Sequence, residues 1–208
     1  MANVLSPKRT AAIQKISLYP LIYDKARDSL MTSLVPTLLA TSHGIEDAVM
    51  RNRLRGTFYA GFQRLSAFLP QARRFARLAS ACGEVLVFAL PDVPPPEIPG
   101  VQFVLLDPVA PLTEEWFIVF AHDNFVAALL TRQVLDENAD MPILDRAYQG
   151  AVAFDTELVG LAHKRLDRAL ARPFEERVTP PQAKLTTPHK TFFHVFARSL
   201  ERRNRELA

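Results

Sequence analysis

Two runs of β-favouring residues separated by one helical period constrain this chain more than any other feature in it. Thr57, Phe58, Tyr59 and Phe62 read as a strand that ends near Arg64. Phe68, Ala72, Phe75 and Ala79 then recur at helical spacing, with Ser66 placed to cap the helix and Gly83 to end it. Glu84 to Leu90 follows as an almost continuous apolar run, the form taken by a strand buried on both faces. Strand, helix and strand in that order predict a right-handed crossover between parallel strands.

The remaining segments extend that unit. Val101 to Leu106 reads as another strand, reached through Pro91 to Gly100, whose five prolines predict a semi-rigid extended connector. Glu115 to Ala121 and Phe125 to Gln133 predict an antiparallel hairpin around His122, Asp123 and Asn124, residues that tolerate positive φ. Gln149 to Phe154 makes a last short strand, and Asp155 is placed to cap a helix carrying Leu158, Leu161, Ala162, Leu166 and Leu170. Upstream, Leu30, Leu34, Leu38, Ile45 and Val49 predict a helix from Ser29 to about Arg53. Pro36 then sits either in a first turn capped by Ser33 or at a kink. The fold class is α+β (mixed α/β), a central mixed β-sheet of about four to six strands flanked by helices, with a C-terminal helical arm.

Four segments are expected along the chain. Residues 1–27 form a tail and a docking arm, the first twelve poorly ordered and the rest docking through Ile13, Ile16, Leu21 and Ile22. Residues 28–171 form the main domain and 172–188 a Pro-rich linker. Residues 189–208 form an amphipathic interaction helix with Phe193, Phe196, Leu200 and Leu207 on one stripe and Arg202, Arg203 and Arg205 near its end. So apolar a stripe has to be covered: the helix docks on its own domain, pairs with a second copy, or continues a signalling helix.

Composition removes several classes. With 208 residues, 49% of them apolar, and a mean hydropathy of +0.03, the chain is neither disordered nor collagenous. A single cysteine, Cys82, excludes an internal disulfide framework and a multi-thiolate metal site and fits a reducing compartment. No apolar run approaches the roughly 20 residues of a membrane span, and no signal-peptide core opens the chain, so the reading is cytoplasmic with no membrane partner. The net charge of +3 conceals segmentation: residues 48–83 hold seven arginines and no acid, while residues 84–158 hold thirteen acids and two arginines. Such segments neutralise one another within a fold or between copies.

Chemistry-bearing motifs are sparse. The P-loop, dinucleotide, zinc-protease, nucleophile-elbow and EF-hand patterns are all missing, and seven glycines leave little for a phosphate-wrapping loop. Cofactor identity is left unknown, and no spacing predicts a metal. His43 and Asp47 share a helix face at i, i+4 and read as a structural pair. His122, at a hairpin tip, reads as exposed; His163 lies on a helix beside Lys164 and Arg165, and neither suggests catalysis, while His189 and His194 read as solvated. Cys82 reads as a buried small hydrophobe, with chromophore attachment as its other use. Glu114 and Glu115 fall on opposite faces of a strand and cannot converge. Trp116, Tyr59, Phe62, Phe88, Phe120 and Phe154 read as core, and the same inventory suits an aromatic ligand cavity.

The run Ser42-His43-Gly44-Ile45-Glu46-Asp47, then Tyr59-Ala60-Gly61-Phe62-Gln63, then Val85-Leu86-Val87-Phe88 resembles, in order and spacing, the DICT sensory domain family. Pro111 to Val119, with its leading Leu112, acidic residues and Trp116, and Ala151-Val152-Ala153-Phe154-Asp155 followed by a helix, are similar to later segments of that family. The likeness extends over roughly residues 28–170. Gly44 departs from the family, in which a larger residue is more common at that helical position, so packing there is expected to differ.

The resemblance implies a bacterial sensory module of diguanylate cyclases and two-component systems, found joined to signalling domains and proposed to take part in light responses. It brings no established ligand or catalytic residue. The ligand-binding candidates are His43, Glu46, Tyr59, Phe62, Arg64 and Trp116. The partner expected is a signalling protein in trans, such as a diguanylate cyclase or histidine kinase, or a second copy.

Three functions follow for comparison. The first is a non-enzymatic sensory domain that signals through its terminal helices. The second is a nucleic-acid or anionic-nucleotide binder using Arg51, Arg53, Arg55, Arg64, Arg73, Arg74 and Arg77. The third is a hydrolase built on Glu114, Asp155 and His43.

Overall fold

The computed structural model describes residues 2–25, 27–134, 146–173 and 186–206. Its centre is the crossover unit read from the sequence. Strand β2 (Gly56–Arg64) runs parallel to β3 (Gly83–Leu90), with Phe58 opposite Val85 and Tyr59 opposite Leu86. Between them lie a one-turn helix over Leu65–Phe68, a 3₁₀ turn at Leu69–Gln71 and a helix over Ala72–Cys82 that buries Phe75, Leu78, Ala79 and Cys82. Ser66 is not the cap. It lies inside the first turn, and Asp92 of the Pro-rich connector accepts from its backbone N–H at 2.9 Å and from its hydroxyl at 2.5 Å. The connector thus pins the start of the crossover.

Strand β4 (Val101–Leu105) lies parallel to β3 on the far side. Strands β5 (Glu115–His122) and β6 (Phe125–Gln133) form the expected antiparallel hairpin, though its Asp123-Asn124 turn is made without positive φ. Strand β7 (Ala147–Ala153) pairs with β6. All six strands read from the sequence are present, and β1 (Met31–Leu34) adds a seventh antiparallel to β7. The sheet order is β1-β7-β6-β5-β2-β3-β4.

Strand β1 replaces the first turns of the helix expected from Ser29. The ring of Pro36 and its missing N–H bar a helix from continuing upstream through it. The helix therefore begins at Val35, with Pro36 in its first turn and extended Leu34 before it; Ser33 makes no side-chain cap.

The helices, in chain order, are α1 (Pro7–Thr10), α2 (Pro20–Lys25), α3 (Val35–Asn52), α4 (Leu65–Phe68), α5 (Ala72–Cys82), α6 (Thr156–Ala169) and α7 (Thr187–Glu206). Helices α3, α5 and α7 cover one face of the sheet over Phe58, Val85, Val87, Phe103, Phe120 and Leu129. Helix α6 and the N-terminal arm cover the other over Tyr59, Phe88, Val104, Phe117 and Val119. Gly61 is one device that lets these layers close: a Cβ there would stand 2.3 Å from the ring of Phe117, its partner on β5. Asp155 caps α6 as expected, accepting from Leu158 N–H at 2.8 Å.

Residues 2–12 are not a loose tail. Leu5 N–H donates to Phe103 O at 2.9 Å and Phe103 N–H to Asn3 O at 2.8 Å, so the N-terminus covers the free edge of β4. The following arm buries Ile13, Leu18 and Ile22 completely. Its anchor is Glu115, whose carboxylate accepts from the Ser17 hydroxyl and from the N–H groups of Leu18 (2.9 Å) and Tyr19 (3.3 Å) at the entry to α2.

The C-terminal helix starts at Thr187, two residues earlier than expected, with Pro188 in its first turn. Pro180 and Pro181 of the linker and Leu207 of the apolar stripe lie outside the described residues. No helix among the described residues is long and apolar enough to cross a membrane.

Candidate functional site

Four of the six ligand-binding candidates converge. His43 and Glu46 on α3, Phe62 on β2 and Trp116 on β5 line one small cavity with Gln71 and Phe75, of about 10 Å³, room for one water at most. Its polar groups hold each other. Trp116 Nε1–H donates to Ser42 Oγ at 3.2 Å, and His43 Nε2 lies 3.3 Å from Gln71 Oε1. Arg74 reaches in from α5: its Nε–H bonds the Glu46 carboxylate, and its Nη2 donates to His43 O at 2.9 Å and Asp47 Oδ1 at 2.6 Å. Asp47 therefore serves Arg74 and Arg51, and His43 turns to Gln71, so the expected His43–Asp47 pair does not form. Burial lifts the Glu46 carboxyl to about 7 against the pull of Arg74. Burial, then the Arg74 charge, lowers His43, which is neutral at pH 7. This cluster bolts α3 to α5 and the sheet.

The other two candidates lie elsewhere. Arg64 is at the exposed end of β2. Tyr59 points to the opposite face, because adjacent strand residues alternate. Its hydroxyl donates to Asp167 Oδ1 at 2.5 Å, while His163 Nδ1 sits 2.9 Å from Asp167 Oδ2. Arg172 extends the network, contacting Asp167 at 3.5 Å and forking onto Glu84 at 2.5 and 3.0 Å; Glu84 also accepts from Thr57 at 2.9 Å. Burial, then the bond to Asp167, raises the Tyr59 hydroxyl. Burial opposes ionisation of Asp167, but bonds from His163 and Tyr59 outweigh it and hold its pKa below the ordinary value. Sequence reading placed His163 on a helix beside Lys164 and Arg165 and gave it no partner. The signal that betrays it is Asp167 four residues on, along the buried stripe of α6.

The remaining candidates for chemistry are structural. Glu114 pairs with Arg132 at 2.5 Å, Asp155 caps α6, and His43 is locked on α3, so the three groups of the hydrolase reading do not meet. Cys82 is 2% exposed, and burial pushes its thiol up to about 11. His189, expected in solvent, is buried between the rings of Phe125 and Phe154, with centroids 5.0 and 5.6 Å away. No group of three or more His, Cys, Asp or Glu suited to a metal occurs among the described residues. The arginines of the nucleic-acid reading do not form one surface: Arg55 and Arg64 flank opposite ends of β2, and Arg74 is neutralised by Glu46 and Asp47.

A cavity larger than this one lies under the C-terminal helix. Helix α7 packs along α3, and Phe192, 4% exposed, seats itself over Gly44; a Cβ there would stand 2.8 Å from the ring. The departure at Gly44 is thus the socket for Phe192. Phe192 also meets Phe154 at 4.9 Å and stacks on Phe196 at 5.8 Å. Beside this contact opens a cavity of about 240 Å³ whose walls include Met31 of β1, Thr37 and Leu38 of α3, Leu129 of β6, Val152 of β7 and Phe193 of α7. None of its lining residues is charged, and the hydroxyls of Thr41 and Thr131 are engaged by the carbonyls of Thr37 and Trp116. Of the predicted interaction residues, Phe196 is half-buried against the core, Leu200 is half-buried, and Phe193 is 46% exposed at the cavity mouth.

The family described as "Sensory domain in DIguanylate Cyclases and Two-component system", DICT, matches residues 15–134. That span runs from the N-terminal arm through β6 and stops short of β7, α6 and α7. Among solved structures, a polyphosphate kinase from Porphyromonas gingivalis overlaps 83% of this chain at 13% identity with a TM-score of 0.41. The overlap takes in 28% of that kinase chain, so this chain spans little more than a quarter of its length. No curated protein matches the chain. With well over half its residues inside the matched segment, the chain belongs to the DICT sensory domain family.

Proposed function

We propose that this chain is a non-enzymatic sensory domain that holds a small, uncharged, apolar ligand beneath α7 and passes its state on through that helix. The receiver is a signalling protein in trans, of the diguanylate cyclase or two-component kind that the family description names, or a second copy of the chain. The observation that carries the reading is the cavity of about 240 Å³ between α3, α7 and the β1 edge, next to the Phe192–Gly44 contact. A ligand there touches the docked helix directly, so its binding biases the docked and released states of α7 unequally. The lining offers aromatic and aliphatic carbon and no charge, which selects a neutral apolar ligand.

The test uses the neutral fluorophore N-phenyl-1-naphthylamine with the full chain and the cavity-filling variant Thr37→Trp. Saturable binding that Thr37→Trp abolishes, with amide exchange in α7 changed by about tenfold or more on binding, is the expected result. Absence of binding overturns the ligand site, and binding with unchanged α7 exchange overturns the relay. Circular dichroism of Thr37→Trp verifies that the fold is intact.

A further inference from the structure

On the other side of α7 lies a second groove of opposite character, of about 250 Å³, between α3 and α7. It is lined by Arg51 from the last turn of α3 and by His194, Val195, Arg198, Ser199 and Arg202 from α7. His194, Arg198 and Arg202 follow one another at single-turn spacing, a stripe about 12 Å long. No acidic side chain lines the groove. Arg198 has no ion-pair partner among the described residues, and Arg51 shares its one carboxylate, Asp47, with Arg74. The Ser199 hydroxyl donates to Val195 O at 3.0 Å, so it is turned back onto its own helix.

We propose that this groove is a binding site for a small phosphate-bearing anion, which bridges Arg51 of α3 to Arg198 and Arg202 of α7 and so clips α7 in place. Two features point to that class of ligand. Guanidinium forks match the oxygens of phosphate groups bidentately, and a groove of about 250 Å³ admits a small molecule with two or three phosphates. A nucleic acid strand would need the basic track to continue, whereas Arg55, Arg64, Arg73 and Arg77 lie outside this groove. Without an anion, cations on the two helices face one another across the seam and weaken it. With one, each cation is attracted to the same bridge.

The inference extends the role given to α7 in the proposed function, but its site is separate from the apolar cavity. Titration calorimetry of the full chain with inorganic tripolyphosphate should give one site per chain, weakened by added salt. Arg51→Gln combined with Arg198→Gln should lower the affinity by about tenfold or more. Amide exchange in α7 should slow on binding in the parent chain and not in the double variant. Binding that is non-stoichiometric or unaffected by the double variant overturns the proposal, as does binding without slower α7 exchange. Matching circular dichroism of the anion-free proteins shows that the variant is folded. The naphthylamine experiment reads the apolar cavity independently, so failure of one idea is distinguishable from failure of the other.

Discussion

Gly44 and Phe192 form the residue pair on which the position of α7 turns. In Gly44→Ala the new methyl meets the ring 2.8 Å away, which should cost about 1–3 kcal/mol through overpacking. In a Phe192→Ala background the same change should cost much less, and denaturant unfolding of the four proteins reads the coupling. The buried carboxyls give a second residue-scale expectation. Glu46 and Glu115 are lifted to about 7 and about 6 from 4.5, chiefly by burial, so the folded chain holds protons that the unfolded chain has already released. Their contribution to stability is whole below about 4.5 and is lost as pH rises toward 6 and 7. Glu46→Gln and Glu115→Gln should each flatten the fall in stability over that window, measured by urea unfolding across the pH series. His43, Glu46, Phe62 and Trp116 were grouped as ligand-binding candidates, and Gly44 was legible as a departure from the family pattern. The Tyr59–Asp167 bond was not, because 108 residues separate the two and neither side chain advertises its partner.

At the scale of elements, a strand and a helix phase escaped sequence reading for different reasons. Met31–Leu34 continues the apolar spacing of α3 closely enough to look helical, and only the steric demand of Pro36 decides against it. In α7 two adjacent phenylalanines compete for the core, and periodicity chose Phe193 where packing chose Phe192. One residue is a 100° turn about the helix axis, enough to exchange a buried face for a half-exposed one. Phe192→Ala should therefore cost about 3–5 kcal/mol, as for a core aromatic, whereas Phe193→Ala should cost well under that, as thermal or urea unfolding will show. His189 gives α7 an acid-sensitive root. Burial lowers its pKa, so the folded chain binds the proton less readily than the unfolded one, and stability present above about 6.5 is lost on acidification below it. Protection factors of the α7 amides, with the base-catalysed intrinsic rate divided out, should fall from pH 7.5 to pH 5, and His189→Asn should remove that fall.

Across the whole molecule, the parallel crossover and the antiparallel hairpin were legible because they depend on local periodicity and short connections, whereas the order of strands across the sheet was not. The three-layer arrangement was also less legible, because it depends on long-range ties such as Glu115 to the N-terminal arm and Arg172 to Glu84. Arg172 lies just past α6 and joins that helix to β3 through Glu84 and Asp167, each of which would lose its cation if the side chain were removed. Arg172→Met should destabilise the fold by about 1–3 kcal/mol, with a cooperative transition retained, because the network fastens a layer that the apolar core already holds.

The two margins of the sheet differ in a way that bears on how copies of the chain can meet. Asn3 and Leu5 bond to Phe103 and shut the β4 margin, whereas β1, with Met31 and Leu34 outward, has no described strand on its far side. Among the described residues, the β1 margin is thus the one open to backbone pairing with a neighbouring molecule. Antiparallel union of two such margins is self-complementary and consumes both, so growth by this route stops at a pair and never propagates into a fibril.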